Sequence, residues 1–389
     1  MVNSEPDRPS GGDPPVKAVP VHRSTVAPFT VLIAGGGTGG HLMPALAIAD
    51  AIRRHHPAWR IVLVGATRGV ESSILPTRDY PYELLPAEPI YRRQWWKNAR
   101  WPLLAIRLVG GVDRLLDRER PSLVIGTGGY ASGPVVWRAA GKGIPTAIQE
   151  QNAYPGLSTR VLSRRVREVW LGVPEARALL KTGAHTAVID TGNAISPPDP
   201  ERRDAARRRF GLDPWKPVLL VTGGSQGALA INDVVATWLE RGLGTGVQVI
   251  WATGKTTYSR FQRFHNPPDV QVFDFIDPMA DAYAVAQLAV SRGGMMTLAE
   301  LCAWGVPSVL IPLPSAAADH QTPNARVLAD AGAAIHLRQP ELTADRLGEV
   351  IGDLLHSPGR LDQMAQAALE RGRPDAVERI MERIGVLSG

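Results

Sequence analysis

The sequence predicts an α/β protein made of two doubly wound domains, each a parallel sheet covered by helices. Short apolar runs rich in β-branched residues alternate with helical patterns, which is typical of parallel sheets. Glycine turns follow several of these runs, and the alternation restarts after the proline-rich break at 196–200. We therefore expect a tail at 1–27, a first domain at 28–192, a second at 193–370 and a terminal helix at 371–389.

Composition indicates a soluble globular protein. Hydrophobic residues make up 44% and charged residues 21% of the 389 positions, which provides enough apolar material for two cores. The first 27 residues are rich in Pro, Gly, Ser and charge, so we expect a disordered tail rather than a signal peptide. No apolar run reaches the length of a transmembrane helix. The single cysteine, Cys302, excludes an internal disulfide, and no Cys or His spacing indicates a structural metal.

The first half begins with a glycine turn at 35–41 between a strand and a helix that has Pro44 in its first turn. Such a turn aims N–H groups and the positive end of the helix at an anion, usually a phosphate. A tight turn without a ligand is the alternative, but His41 at its exit and the glycine turns downstream favour a ligand site. Strands are expected at 29–34, 60–65, 121–126, 144–149, 167–171 and 186–189.

The second half repeats the pattern, with a basic helix at 202–209, a glycine turn at 223–228 and a C-terminal helix at 374–387. Its strands are expected at 217–221, 247–251, 270–273, 287–290 and 307–311. Doubly wound domains bind ligands at the carboxyl ends of their strands, so two facing domains would line one cleft. That arrangement suits an enzyme that joins a nucleotide-bearing donor to a second substrate.

Five loop motifs occur in a fixed order along the chain. They are Gly-Gly-Thr-Gly-Gly-His at 36–41, Gly-Gly-Tyr with Ser-Gly-Pro at 128–134, Glu-Gln-Asn at 150–152, Gly-Gly-Ser-Gln-Gly-Ala at 223–228, and Asp-His-Gln with Asn-Ala at 319–325. Together they resemble the MurG family, the bacterial UDP-N-acetylglucosamine:lipid I N-acetylglucosaminyltransferases of peptidoglycan synthesis. The resemblance covers position 29 to the C-terminus.

This resemblance implies a GT-B glycosyltransferase fold, with two Rossmann-like domains facing across a cleft and the last helix crossing back to the first domain. It implies an inverting transfer that yields lipid II and UDP at the cytoplasmic face of the cell membrane. It also implies no organic cofactor, because UDP-N-acetylglucosamine is a substrate. The expected partners are this donor, lipid I and the anionic inner-membrane surface, with contacts to other cell-wall synthesis proteins left open.

The resemblance also implies a donor site. Glu300 would hold the ribose hydroxyls, Ile276 would border the uracil and Gln321 would hold the sugar hydroxyls. Ser225 would meet the diphosphate at a helix N-terminus, where N–H groups stabilise the charge without a metal. Helix capping is the alternative for both Ser225 and Glu300. The further expected donor contacts are Thr38, Gly39, Gly40, Asn152, Met295, Met296, Thr297, Leu298 and Ala299.

His41 is the candidate general base for deprotonating the acceptor hydroxyl. A neutral imidazole suits this role near pH 7, and a helix N-terminus disfavours the charged form. Orientation of the glycine loop is an equal alternative for His41, as turn packing is for Tyr130. The secondary candidates are Tyr130, Ser132, Gln226, His320 and Asn324. Two positions depart from the family pattern: Ser196 stands where many relatives carry arginine, and Gln149 where many carry histidine.

The positive charge of the chain is concentrated in the segment 91–120, which carries eight basic and three acidic residues. Tryptophans and an apolar stripe are interleaved with these charges, a combination that suits an anionic membrane surface. An ordinary core-facing helix is the alternative, and no nucleic-acid motif supports a nucleic-acid partner. The expected membrane residues are Arg92, Arg93, Trp95, Trp96, Lys97 and Trp101.

Two other functions are compatible with the motifs. One is a GT-B glycosyltransferase acting on a different lipid acceptor, and the other is a catalytically silent sugar-nucleotide-binding protein. The presence of His41, Glu300 and Gln321 argues against a silent protein. A dinucleotide dehydrogenase fits less well, because the first glycine turn ends in histidine and recurs as Gly-Gly-Ser in the second half.

Overall fold

The computed structural model describes residues 29–88, 101–224, 227–242, 244–316 and 319–389. The tail expected at 1–27 lies outside these ranges. Within them the chain forms two separate parallel sheets with helices on both faces, which confirms the predicted fold class.

The first sheet contains seven strands in the described residues, all parallel, in the order β3-β2-β1-β4-β5-β6-β7. These strands are β1 (Thr30–Gly35), β2 (Arg60–Ala66), β3 (Tyr82–Leu85), β4 (Leu123–Gly128), β5 (Thr146–Glu150), β6 (Glu168–Leu171) and β7 (Ala187–Asp190). Strand β3 was not expected from the sequence, because it is a short edge strand with partly exposed side chains. Its contribution is to extend the sheet beside β2.

Helices cover the two faces of the first sheet unequally. They are α1 (Gly39–His55), α2 (Glu71–Ile74), α3 (Trp101–Glu119), α4 (Ser132–Gly141) and α5 (Leu157–Leu162). One apolar core lies between the sheet and α1, and a second lies between the sheet and α3, α4 and α5. Pro44 lies inside α1 rather than in its first turn, because the helix already begins at Gly39.

The second sheet contains six strands in the described residues, also parallel, in the order β10-β9-β8-β11-β12-β13. They are β8 (Val218–Thr222), β9 (Gln248–Ala252), β10 (Val270–Phe273), β11 (Leu288–Ser291), β12 (Ser308–Leu310) and β13 (Ala334–His336). The five expected strands are present with ends shifted by at most one residue. Strand β13, three residues at the sheet edge, was missed.

Eight helices follow the strands of this half in the described residues. They are α6 (Arg202–Arg209), α7 (Leu229–Glu240), α8 (Tyr258–Phe261), α9 (Met279–Val285), α10 (Met295–Ala303), α11 (Gln321–Asp330), α12 (Ala344–Leu355) and α13 (Pro358–Arg371). Helices α9, α10 and α11 pack on one face of the sheet, and α7 and α12 pack on the other. The N-termini of α7, α10 and α11 therefore lie beyond the carboxyl ends of their strands.

The last helix, α14 (Ala376–Ser388), packs on the first sheet rather than the second. Its apolar face supplies Val377, Ile380, Met381 and Ile384 to the core beneath α1. A buried ion pair between Arg383 and Glu168 of β6 fixes the helix, and Glu168 also accepts a hydrogen bond from Trp170 Nε1 at 2.6 Å. The first sheet is thus completed by the end of the chain.

Candidate functional site

The loop after β5 meets the first turn of α11 where the two halves of the chain face each other. Asn324, fully buried in α11, accepts a hydrogen bond from the Ala153 N–H at 2.9 Å and donates one to Asn152 Oδ1 at 3.1 Å. Its Nδ2 also donates to the Gly293 carbonyl at 3.1 Å. We call these contacts the Asn152–Asn324 clasp. It brings two sequence-predicted residues from different halves of the chain into direct contact.

Glu150 holds the loop that carries Asn152. Its carboxylate accepts hydrogen bonds from Asn152 N and Nδ2 at 3.0 and 3.2 Å, from Gly156 N at 2.9 Å and from Thr159 Oγ1 at 2.6 Å. The neighbouring Gln149, which replaces the histidine of many relatives, donates to Asn193 Oδ1 at 3.1 Å. The loop is therefore rigidly attached to the segment that leads into the second half.

The first glycine turn differs from the expected anion site. The Gly37 N–H is bonded to both carboxylate oxygens of Glu71, at 2.9 and 2.8 Å, rather than left open to a substrate phosphate. Glu71 is fully buried and was not identified from the sequence. Beyond it, Thr38 and Gly40 are exposed, and α1 begins at Gly39. Since the first N–H groups of a helix have no partner within it, the positive end of α1 faces this edge.

His41 lies in the first turn of α1, between the two glycine turns of the first sheet. Its carbonyl accepts a hydrogen bond from Thr127 Oγ1 at 2.8 Å. Its ring packs closely on Gly128, because a Cβ added at Gly128 would lie only 2.9 Å from Cδ2 of His41. Nδ1 is buried and has no hydrogen-bond partner in the described part of the chain. Burial, and secondarily the nearby His320, lowers the pKa of His41 to about 4, so the imidazole is neutral at pH 7.

Two of the secondary candidates, Tyr130 and Ser132, lie in the second glycine turn and are close to glycines. A Cβ at Gly37 would lie 2.6 Å from Tyr130 Cε1, so the tyrosine ring covers the first turn. Ser132 is buried, and its Oγ would lie 2.6 Å from a Cβ at Gly126. Ser132 thus fills the space beside Gly126, and a contact of Ser132 with the acceptor stays a prediction.

The glycine turn after β8 retains the features of a close-approach loop. A Cβ at Gly227, where φ is +77°, would overlap the Thr253 carbonyl, so only glycine fits there. Helix α7 begins two residues later, at Leu229. The predicted diphosphate contacts Ser225 and Gln226 lie outside the described residues.

Helix α10 combines buried packing residues with one carboxylate. Leu298 is fully buried and Met295 nearly so, and their side chains belong to the core. Glu300 lies beyond the first turn of the helix, so the capping alternative is wrong. Its Oε2 accepts a hydrogen bond from the buried Tyr283 hydroxyl at 2.7 Å, and burial raises the pKa of its carboxyl. The remaining predicted residues of this segment, Met296, Thr297 and Ala299, are half-buried.

The other predicted donor residues surround α10. Ile276 is buried, so only its backbone is available to border a base. Gln321 begins α11, and its Oε1 accepts a hydrogen bond from Leu313 N at 2.9 Å, which ties the preceding loop to the helix. The Gln321 carbonyl would lie 2.5 Å from a Cβ at Gly293, so α10 and α11 approach closely. His320 immediately precedes α11 and is close enough to His41 to influence its pKa.

The predicted membrane residues Arg92, Arg93, Trp95, Trp96 and Lys97 lie outside the described residues, as does the side chain of Trp101. Next to them, α3 packs on α4 and α4 packs on α5. These helices expose large apolar side chains: Ile106 is 71%, Trp137 40% and Val161 59% accessible. Among the described residues, no helix is long and apolar enough to cross a bilayer, and no cluster of three His, Cys, Asp or Glu could hold a metal ion.

Two family models match the chain. The glycosyltransferase family 28 N-terminal domain matches residues 31–171, and the glycosyltransferase family 28 C-terminal domain matches residues 218–380. The matched segments correspond to the two sheets.

Curated relatives match over nearly the whole chain. Proteins of Carboxydothermus hydrogenoformans and Salinibacter ruber are 40% and 41% identical, over 90% and 94% of this chain and 95% and 98% of their own lengths. Both are named UDP-N-acetylglucosamine–N-acetylmuramyl-(pentapeptide) pyrophosphoryl-undecaprenol N-acetylglucosamine transferase.

Solved structures share the fold. MurG of Acinetobacter baumannii superimposes with a TM-score of 0.74 at 27% identity, covering 92% of this chain and all of that one. A UDP-N-acetylglucosamine 2-epimerase of Neisseria meningitidis, solved with UDP-N-acetylglucosamine, gives a TM-score of 0.63 at 15% identity over 92% of this chain and all of its own. The second likeness concerns the fold alone.

Proposed function

This chain belongs to glycosyltransferase family 28, and we propose that it transfers N-acetylglucosamine from UDP-N-acetylglucosamine to lipid I, giving lipid II and UDP. The observation that carries the proposal is the identity of about 40% to transferases of that name over nine-tenths of the chain. The reaction makes peptidoglycan precursor, so the enzyme serves cell-wall synthesis, cell shape and division. The domain boundary near 192–193 is part of the proposal.

The donor occupies the second half of the chain. The Glu300 carboxylate accepts hydrogen bonds from the ribose hydroxyls, and its bond from Tyr283 fixes its orientation. The backbone at Ile276 borders the uracil, and the half-buried face of α10 lies along the nucleotide. Ser225 and the N-terminus of α7 receive the diphosphate, where aligned N–H groups stabilise the charge that develops on UDP.

The donor sugar lies between the two halves. Gln321, His320 and Asn152 hold its hydroxyls, and the Asn152–Asn324 clasp orients the amide of Asn152 toward it. Thr38, Gly39 and Gly40 approach from the first sheet. Their exposure and the positive end of α1 suit contact with the reacting end of the donor.

His41 deprotonates the acceptor hydroxyl as that oxygen attacks the anomeric carbon from the face opposite UDP. The glycosidic bond forms as the bond to the diphosphate breaks, which inverts the configuration. A pKa of about 4 keeps the imidazole neutral and ready to accept the proton at pH 7. Protein N–H groups carry the leaving-group charge, so we expect transfer to persist in EDTA.

The acceptor is lipid-linked, so the enzyme must reach it at the bilayer. We propose that the face formed by α3, α4 and α5, together with the basic tryptophan-rich segment before it, docks on the anionic cytoplasmic surface of the membrane. Ile106, Trp137 and Val161 supply exposed apolar side chains to this face. Trp137→Ala together with Ile106→Ala should weaken sedimentation with anionic liposomes. Trp215→Ala, which removes a 91% exposed tryptophan from the second half of the chain, is the matched control.

A transfer assay with radiolabelled UDP-N-acetylglucosamine and a lipid I analogue tests the activity. Labelled lipid II at a rate abolished by Glu300→Gln supports the proposal. If the donor is only hydrolysed, or if the sugar is transferred only to other lipid acceptors, the chain has another glycosyltransferase activity. Donor binding measured by calorimetry, without any transfer, would identify it as a silent binding protein.

A further inference from the structure

The first glycine turn encloses a carboxylate of the protein itself. Both oxygens of Glu71 accept hydrogen bonds from Gly37 N, and Oε1 also accepts one from Ala66 N at 2.7 Å. The side chain is fully buried. Ala66 ends β2 and Gly37 follows β1, so one carboxylate joins the carboxyl ends of two neighbouring central strands.

Three glycines make the space that this carboxylate occupies. A Cβ at Gly36 or at Gly69 would overlap the carboxylate group, and a Cβ at Gly65 would overlap its Cγ. Neither Gly36 nor Gly65 has a positive φ, so backbone conformation does not require glycine there. Room for Glu71 is the physical reason for glycine at these positions.

Glycine turns of this kind ordinarily present N–H groups to a bound phosphate. Here the Gly37 N–H donates to the carboxylate of Glu71, an anion that belongs to the protein itself. We propose that Glu71 is a positioning residue: its carboxylate acts as a resident anion that fixes the turn, and through it Thr38 and His41 at the start of α1. The N–H of Gly37 is then not a substrate phosphate site, and substrate phosphates bind to other N–H groups.

The functional part of this inference rests on the proposed transfer to lipid I. If His41 is held in place by the turn, loss of the carboxylate lowers turnover more than donor affinity. Misplacing a catalytic group by about 1 Å costs on the order of 10²-fold in rate. Most of the proposed donor contacts lie on the second sheet and only Thr38, Gly39 and Gly40 belong to the turn, so the KM for the donor should change less than kcat.

The test uses Glu71→Ala, which removes the carboxylate and leaves space for a small anion. We expect kcat to fall about 10²-fold, with a smaller change in the donor KM. Added formate or acetate should raise kcat to at least about a tenth of the wild-type value. In Gly36→Ala, the added methyl group would overlap the Glu71 carboxylate. This variant should have a lower kcat, and formate should not restore it. Wild-type turnover should not respond to formate.

Glu168→Ala is the matched control, because Glu168 is another buried carboxylate of the same sheet, bonded to Arg383 and distant in sequence from the turn. Its kcat should not respond to formate, because an anion bound beside Arg383 does not contact the glycine turn. Wild-type kcat, or formate-independent kcat, in a folded Glu71→Ala variant would overturn the proposal.

Melting temperature separates this inference from the proposed activity. Formate should raise the melting temperature of Glu71→Ala but not that of the wild type, because the variant has a vacant anion position beside Gly37 N and Ala66 N. This result does not require any transfer reaction. Absence of wild-type transfer would overturn the proposed function alone, whereas absence of an anion effect on Glu71→Ala would overturn the resident-anion role alone. If Glu71→Ala does not fold, Glu71→Gln, which keeps the shape and removes the charge, should lower kcat more than it changes the donor KM, and wild-type kcat in that variant would overturn the proposal.

Discussion

The neutral His41 imidazole predicts an unusual pH dependence for the transfer reaction. Because burial lowers its pKa to about 4, a base at this position stays active well below the pH at which ordinary histidines become protonated. At pH 5.5, about 97% of a group with this pKa is neutral, against about 9% of a histidine at its ordinary value near 6.5. Between pH 7.5 and 5.5, kcat/KM should therefore stay nearly constant instead of falling about tenfold.

The assay measures kcat/KM for UDP-N-acetylglucosamine from pH 4 to 8 with a short-chain lipid I analogue at fixed concentration. Enzyme returned from each pH to pH 7.5 should recover its full activity, which excludes denaturation. His41→Asn should lower kcat by about 10²–10⁴-fold, the usual effect of removing a general base. A wild-type acid limb near pH 6.5, or a folded His41→Asn variant with wild-type turnover, would refute the assignment of His41 as the base.

The same shift in pKa affects stability. The imidazole is neutral in the folded protein to about pH 4 but becomes protonated near pH 6.5 when the chain unfolds. Unfolding thus takes up a proton between these values, so the contribution of His41 to stability is present above pH 6.5 and is lost as the pH falls toward 4. Urea midpoints of wild type and His41→Asn should converge over this window, and parallel curves would contradict the burial of a neutral ring.

Four further substitutions test contacts of the site and of the last helix. Tyr283→Phe removes the donor bonded to Glu300, so the pKa of that carboxyl should rise further and donor affinity at pH 6 should fall; unchanged calorimetric titrations would contradict this contact. Asn324→Ala breaks the Asn152–Asn324 clasp and should cost about 1–3 kcal/mol of unfolding free energy while raising the donor KM. Asn324→Asp keeps the acceptor for Ala153 but places a carboxylate oxygen against the Asn152 and Gly293 oxygens, so it should cost at least as much stability as the alanine variant. Arg383→Ala leaves Glu168 buried without its cation and should cost about 3 kcal/mol in urea unfolding, the low end for a buried pair because the arginine is 28% exposed. A loss below 0.5 kcal/mol would mean that α14 is held by its apolar face alone.

The central strands could be predicted from the sequence because each is buried on both faces and therefore reads as an apolar, β-branched run. The edge strands β3 and β13 could not, since Tyr82–Leu85 mixes polar and apolar residues and Ala334–His336 is too short to show a pattern. Strand ends next to glycine turns were also misplaced. Strand β4 continues to Gly128 because pairing with Gly35, rather than local composition, decides where it stops.

The place of a candidate residue could be predicted where it depends on residue type and order, as with His41, which lies at the start of a helix behind a glycine turn. It was not predictable where function depends on contacts between distant parts of the chain. Glu71 lies 34 residues from Gly37, and Tyr283 lies 17 residues from Glu300. Neither spacing follows a helical or strand period, so only the folded chain brings these partners together.

The return of α14 to the first sheet has a consequence for protein synthesis. The ribosome makes the first sheet early, but the apolar face of α14 that completes its core emerges only after the second sheet has been made. At normal translation speed, the core of the first sheet stays incomplete for on the order of ten seconds, and part of its apolar surface is exposed during that time. The nascent first half should therefore be a chaperone client until α14 has been made and has packed. A fusion protein attached after Gly389 has to leave this helix free to reach back.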